Sequence, residues 1–180
     1  MTAPRRLMLL RHAKSDWADA ATPDADRPLS ESGRRACDLL ARHLAAQDSA
    51  PDLILCSSAV RTRQTVAGLA HALPASVPVL VEDRLYLAEA RELLERLQEI
   101  DDGVPSVLLV AHNPGIHTLA VALLAPEDRA RIPTFPTAAL AVEDLEVSRW
   151  AELGQQSTRL VSYVTPRELR GTPGPPGAGD

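Results

Sequence analysis

Two histidines and two arginines stand where this chain could do chemistry on an anion. Leu7-Met-Leu-Leu10 is an apolar run that stops at once in Arg11-His12, and Val107-Leu-Leu-Val-Ala111 stops in the same way in His112-Asn113-Pro114-Gly115. A run of this kind breaking into charge reads as a buried strand ending in a loop. In open α/β sheets ligands bind at that carboxyl end. Arg61 follows a third apolar run, Asp52-Leu-Ile-Leu-Cys56, near the start of a predicted helix whose first backbone N–H groups and dipole suit an anion. A guanidinium fork can hold two phosphate oxygens at once. An imidazole can serve as a nucleophile, dividing one hard transfer into two easier ones. The four residues together suggest a cationic pocket of phosphate size.

To bring them to one edge, strands and helices must alternate. Strands are predicted over 6–11, 52–56, 78–81, 107–111, 138–142 and 160–164. Ser30 is a plausible cap for a first helix with Ala36, Leu39, Leu40 and Leu44 on one face. Further helices are predicted from about Ala59 to Leu73, Ala90 to Ile100 and Gly115 to Leu124. The pattern implies a three-layer α/β/α architecture, a mostly parallel sheet with helices on both faces. We expect a single domain over 1–170 without a large cap. The tail from Gly171 to Asp180 is nearly all Gly, Pro and Ala and is expected to be disordered.

At 180 residues, 45% of them apolar, the chain is long enough for one substantial core, built from Leu, Val, Ala and Ile because aromatics reach only 3%. The net charge of −5 argues against a general nucleic-acid binder. Cys37 and Cys56 read as small buried side chains, not as a disulfide framework. No stretch approaches the roughly 18 apolar residues of a membrane span, and no secretory segment is visible, so a cytoplasmic location is expected by default. The oligomeric state is left open.

Arg11-His12, Ser58-x-x-Arg61-x-x-x-Thr65 and His112 together resemble the histidine phosphatase superfamily, whose larger members include phosphoglycerate mutase. Arg11-His-Ala-Lys-Ser15, Asp26-Arg-Pro-Leu-Ser30-x-x-Gly33, Leu85-Tyr86, His112-Asn-Pro-Gly115 and Phe135-Pro-Thr-Ala-Ala139 narrow the resemblance to short phosphohistidine phosphatases of the SixA type. It runs from Arg6 to about Pro166, and the order of the motifs carries it more than any one of them.

The resemblance implies a phosphoglycerate mutase-like fold and a phosphatase that needs no metal or cofactor. His12 would take the phosphoryl group while Arg11, Arg61 and His112 hold its oxygens and stabilise the transition-state charge. For attack, one nitrogen of His12 must be neutral, so the other should donate to a backbone carbonyl or similar acceptor. His112 is more useful protonated, or at least as an N–H donor. Water would then hydrolyse phospho-His12. Lys14 and Arg27 read either as the rim of the entrance, meeting phosphate or acidic surface on a partner, or as plain surface. Ser58 reads as a helix cap before a phosphate contact, and Asn113 as a backbone donor to phosphate or the shaper of the turn before Pro114.

The chain departs from the wider superfamily in two ways. Ala13 follows His12 where many members have Gly. No carboxylic acid matches the one that larger members use to protonate the leaving group; Glu82, Asp83 and Glu89 lie near the relevant stretch, and none aligns. An alkoxide needs such an acid, whereas imidazole, with a conjugate-acid pKa of roughly 6.5, leaves after an easy protonation near pH 7. The favoured substrate is therefore phosphohistidine on a signalling or phosphocarrier protein. A small phosphorylated metabolite is the alternative, and a non-catalytic phosphate-binding module a third. His112 and His117 lack a carboxylate at metal-ligand spacing, so no metal site is expected. Cys56 to Arg61 is one residue short of a cysteine-phosphatase loop and has none of its glycines.

Overall fold

The computed structural model describes residues 4–47 and 50–171. Among them, strands β1 (Arg6–Arg11), β2 (Leu53–Ser57), β3 (Val79–Glu82), β4 (Ser106–Ala111), β5 (Leu140–Leu145) and β6 (Thr158–Val164) form one sheet in the order β3-β2-β4-β1-β5-β6. The four strands from β3 to β1 run parallel, and β5 and β6 are added antiparallel. The helices are α1 (Glu31–Ala46), α2 (Val60–Gly68), α3 (Ala90–Gln98), α4 (Gly115–Leu123), α5 (Pro126–Arg129) and α6 (Pro166–Gly171). The chain is a single-domain α/β protein, as the alternation predicts.

Side-chain alternation along the central strands divides the core in two. Leu7, Leu9, Leu55 and Leu109 pack with Leu93 and Leu97 of α3 and Ile116 and Leu119 of α4. Met8, Leu10, Ile54, Leu108 and Val110 pack with Cys37, Leu40 and Leu44 of α1. A sheet covered on both faces explains why these strands read as continuous apolar runs. Each fully buried Leu contributes about 2 kcal/mol. Cys37 and Cys56 are both buried and unbridged.

β1 and β4 are neighbours in register, Arg11 beside Ala111, so the residues just beyond them, His12 and His112, emerge side by side. Two close approaches hold the loops that follow. A Cβ on Gly33 would lie 2.2 Å from the carbonyl oxygen of Lys14, and that oxygen accepts the Ser30 N–H at 2.9 Å and its hydroxyl at 3.0 Å. Ser30 Oγ also caps α1 by accepting from Gly33 N–H at 3.1 Å. Likewise a Cβ on Gly115 would meet the carbonyl of Ala88 at 2.0 Å. Glycine at these two positions lets main chain touch helix.

The structure corrects several predicted boundaries. α2 ends at Gly68, not Leu73: the chain tightens there, Leu69 donating to Val66 O, and a 3₁₀ turn occupies Ala70–Ala72. α3 stops at Gln98, and β6 begins at Thr158, before the predicted 160. β5 begins at Leu140, not at 138, because Ala138 has φ 59° and turns its N–H onto the carbonyls of Arg11 and His12. Gly171 closes α6, so the predicted tail loses its first residue, and the remainder, 172–180, lies outside the described residues.

One carboxyl is fully enclosed by the sheet. Glu143, at a register shift in β5, is 0% exposed; its Oε2 accepts from Thr158 Oγ1 at 2.7 Å while Oε1 has no hydrogen-bond partner. Burial pushes its pKa up to about 8. Among the described residues no helix is long and apolar enough to cross a membrane.

Candidate active site

Beyond the carboxyl ends of the parallel strands lies a cavity of about 580 Å³, lined by Arg11, His12, Arg61 and His112 together with Lys14, Asp24 and Asn113 among others. The two imidazole centroids are 5.1 Å apart. Segments separated by a hundred residues thus meet at one point of the sheet edge.

His12 is 8% exposed, and its Nδ1 lies 2.8 Å from the carbonyl of Ala13. The ring donates there, which leaves the lone pair on Nε2. Arg61 Nε donates to that Nε2 at 3.3 Å. Burial, opposed by the Ala13 hydrogen bond and reinforced by the charges of Arg61 and Arg11, pushes the His12 pKa down to about 4. Ala13 is itself wholly buried, its N–H held by Thr65 Oγ1 at 3.0 Å, so Thr65 of α2 fixes the loop that carries the imidazole.

His112 Nε2 lies 2.7 Å from Ser57 Oγ, and its Nδ1 receives Arg61 Nη2 at 3.3 Å. A guanidinium only donates, so Nδ1 accepts and Nε2–H donates to the serine. Burial first, then the neighbouring His12 and Arg61, push its pKa down to about 3. His112 is therefore neutral in this arrangement and an N–H donor, the second of the two states the sequence reading allows.

Arg61 is the hub. Its Nη1 donates to the Asp24 carbonyl at 2.6 Å and its Nη2 to Asp24 Oδ2 at 2.9 Å, while Nε and Nη2 face the two histidines. Asp24 Oδ2 also accepts from Tyr86 OH at 2.6 Å. Tyr86 first, then Arg61, holds the Asp24 carboxyl below its ordinary range. Arg11 donates through Nη1 to Phe135 O at 2.9 Å, and its Nε is buried without a partner. Burial and the charge of Arg61 lower its pKa. Two guanidiniums and two imidazoles share the cavity with one carboxylate. The site can therefore grip a tetrahedral anion and offer it a lone pair.

The other predicted contacts divide. Lys14 is exposed at the mouth. Asn113 lines the cavity, with its Nδ2 committed to Phe135 O at 2.9 Å. Ser58 is absent from the lining and makes no cap bond; Ala59 is the N-cap of α2, and Ser57 is the serine that reaches His112. Arg27 also lies outside the lining, with its guanidinium carbon 3.7 Å from the centre of the Trp17 ring and its Nε 3.8 Å from Asp24 Oδ1. It props Trp17, which stands 67% exposed at the mouth. Glu82 is paired with Arg96 and Arg84, and Glu89 is held in the capping box of α3, so neither faces the cavity.

Sequence reasoning missed Asp24, Ser57 and Trp17 and left Tyr86 without a role. Only Tyr86 had a signal, its place in the Leu85-Tyr86 motif.

The model of the histidine phosphatase superfamily (branch 1) matches residues 7–86. An uncharacterised protein of Mycobacterium tuberculosis is 37% identical over 165 residues, covering 88% of this chain and 100% of its own. A solved structure of a candidate phosphohistidine phosphatase SixA from Agrobacterium tumefaciens is 32% identical, covers 91% of this chain and 99% of its own, and superposes with a TM-score of 0.78. The protein histidine phosphatase SixA solved with tungstate is 26% identical, covers 91% of this chain and 99% of its own, and has a TM-score of 0.73. The chain belongs to the histidine phosphatase superfamily and, within it, is of the SixA type.

Proposed function

We propose that the protein is a phosphatase acting through phospho-His12, and that its substrate is phosphohistidine carried by a signalling or phosphocarrier protein. Nε2 of His12 attacks phosphorus while the bond to the leaving nitrogen breaks and its electron pair stays with the substrate ring. Protonated on its far nitrogen near pH 7, that ring departs as neutral imidazole. Arg11 and the Nε edge of Arg61 neutralise the phosphoryl oxygens. His112, neutral beside Arg61, takes up a proton from solvent as the dianion arrives and becomes a third donor. Water then attacks phospho-His12, its oxygen bonding phosphorus as the P–N pair returns to Nε2; one of its protons stays on the phosphate and the other passes to solvent.

One observation carries the choice of substrate. Asp24 is the carboxylate that lines the cavity, and Tyr86 and Arg61 keep it ionised. An ionised carboxylate cannot protonate an alkoxide, whereas imidazole does not need it to. The tungstate bound by the SixA relative, a tetrahedral oxyanion, supports the phosphoryl reading of the site. The test compares turnover of a phosphohistidine peptide with that of an alkyl phosphate. We expect the peptide to be favoured by at least a hundredfold; efficient alkyl-ester hydrolysis would transfer the assignment to a small phosphorylated metabolite.

A further inference from the structure

Next to the catalytic cavity, and sharing Lys14 and Thr137 with it, runs a larger groove of about 1160 Å³. Its walls come from the first turns of α1, the 130–137 segment and α6. Lys14, Arg131, Arg167 and Arg170 line it against a single acid, Glu168. That acid is exposed and is engaged at the start of α6, its Oε2 accepting from Thr165 N–H at 2.8 Å and Thr165 Oγ1 at 2.9 Å. Arg131 is matched by Asp128 at 2.8 Å. Lys14, Arg167 and Arg170 are exposed and have no ion-pair partner among the described residues.

In a chain of net charge −5 this is a local reversal of sign. Arg167 and Arg170 are three apart on α6 and so share one face of it. The third free cation, Lys14, stands on a different segment, at the junction with the catalytic cavity. Cations strung along a trough that opens into the phosphoryl site suit an extended anion that arrives together with the phosphoryl group. A lone small phosphate would use only the catalytic end.

We infer that this groove binds an acidic segment of the substrate protein flanking its phosphohistidine, an inference that rests on the phosphohistidine reading above. Exposed charge pairs add little affinity singly and act mainly on encounter and selectivity. The expected effect is therefore about tenfold in kcat/KM, carried by KM and weakened by salt.

The experiment uses two phosphohistidine peptides, one with Asp/Glu and one with Ser/Asn on the flanks, together with free phosphohistidine. Wild type should favour the acidic peptide about tenfold, and 0.3 M salt should erase the preference. Arg167→Gln/Arg170→Gln should abolish it through KM while leaving turnover of free phosphohistidine unchanged. Equal turnover of the two peptides by wild type, or a preference that survives in the double variant, overturns the docking inference and leaves the phosphohistidine assignment standing. Hydrolysis of alkyl phosphate with no turnover of any phosphohistidine substrate overturns both. The salt series on wild type needs no variant, so a misfolded double variant does not spare the inference.

Discussion

Asp24 grips Arg61 from behind: its carbonyl takes Nη1 at 2.6 Å and its carboxylate takes Nη2 at 2.9 Å, leaving the Nε edge turned to His12. A guanidinium so clamped is pre-oriented for two phosphoryl oxygens. Asp24→Asn should lower kcat by about tenfold to a hundredfold with a smaller change in KM. Tyr86→Phe, which removes only the hydroxyl donor to Asp24, should cost less. Steady-state kinetics of both variants check this; an unchanged kcat in Asp24→Asn would remove the clamp from catalysis.

His12→Ala should abolish turnover, by about a thousandfold or more, while vanadate still binds, because Arg11, Arg61 and His112 remain. Trapping the phosphoenzyme in wild type and mapping the label gives the complementary result, an acid-labile, base-stable modification on His12. Substantial activity in the alanine variant would exclude His12 as the nucleophile.

The free enzyme should keep His12 neutral far below ordinary imidazole pH, with an NMR titration midpoint near 4. Both active-site histidines have folded pKa values below their unfolded ones. The unfolded chain therefore binds more protons as pH falls below about 6.5, and their contribution to stability declines from there toward pH 4 for His12 and pH 3 for His112. A His12 midpoint at 6.5 would contradict the geometry around its ring.

Glu143 has the opposite sign. Its folded pKa is raised to about 8, so the stability linked to its proton is complete below about 4.5 and lost as pH rises through 8. Glu143→Gln should raise Tm by roughly 5 °C or more at pH 8.5 and change it little at pH 5. Scanning calorimetry at the two pH values distinguishes this from a uniform packing effect.

Gly33→Ala would drive a methyl into the Lys14 carbonyl, which the Ser30 cap holds in place. We expect a loss of about 1–3 kcal/mol in denaturant titrations, together with reduced turnover, because the displaced loop is the one that carries His12.

Strands β1 and β4 were legible because full burial on both faces makes them unbroken apolar runs, and the abrupt charge after each one marked Arg11, His12 and His112. Ser30 was legible as a cap because a hydroxyl residue stands just before an amphipathic run. Ser58 was read as a helix cap, but Ala59 takes that place; Ser57, the buried last residue of β2, had no signal to mark its contact with His112. The end of α2 was overrun because Leu69 and Leu73 continue the apolar spacing past the turn at Gly68. Asp24 could not be found, since a carboxylate in a polar loop between Pro23 and Asp26 looks like any solvated acid. Its importance arises only when folding brings Arg61 and Tyr86 to it.

The acceptor that sets the tautomer of His12 is the carbonyl of Ala13, a main-chain atom. No single substitution can delete it, because every amino acid supplies the same oxygen. Readiness of the proposed nucleophile is thus insulated from drift, while Trp17, Lys14 and the arginines of α6 remain open to replacement. A scaffold built this way can change its clientele without rebuilding its chemistry.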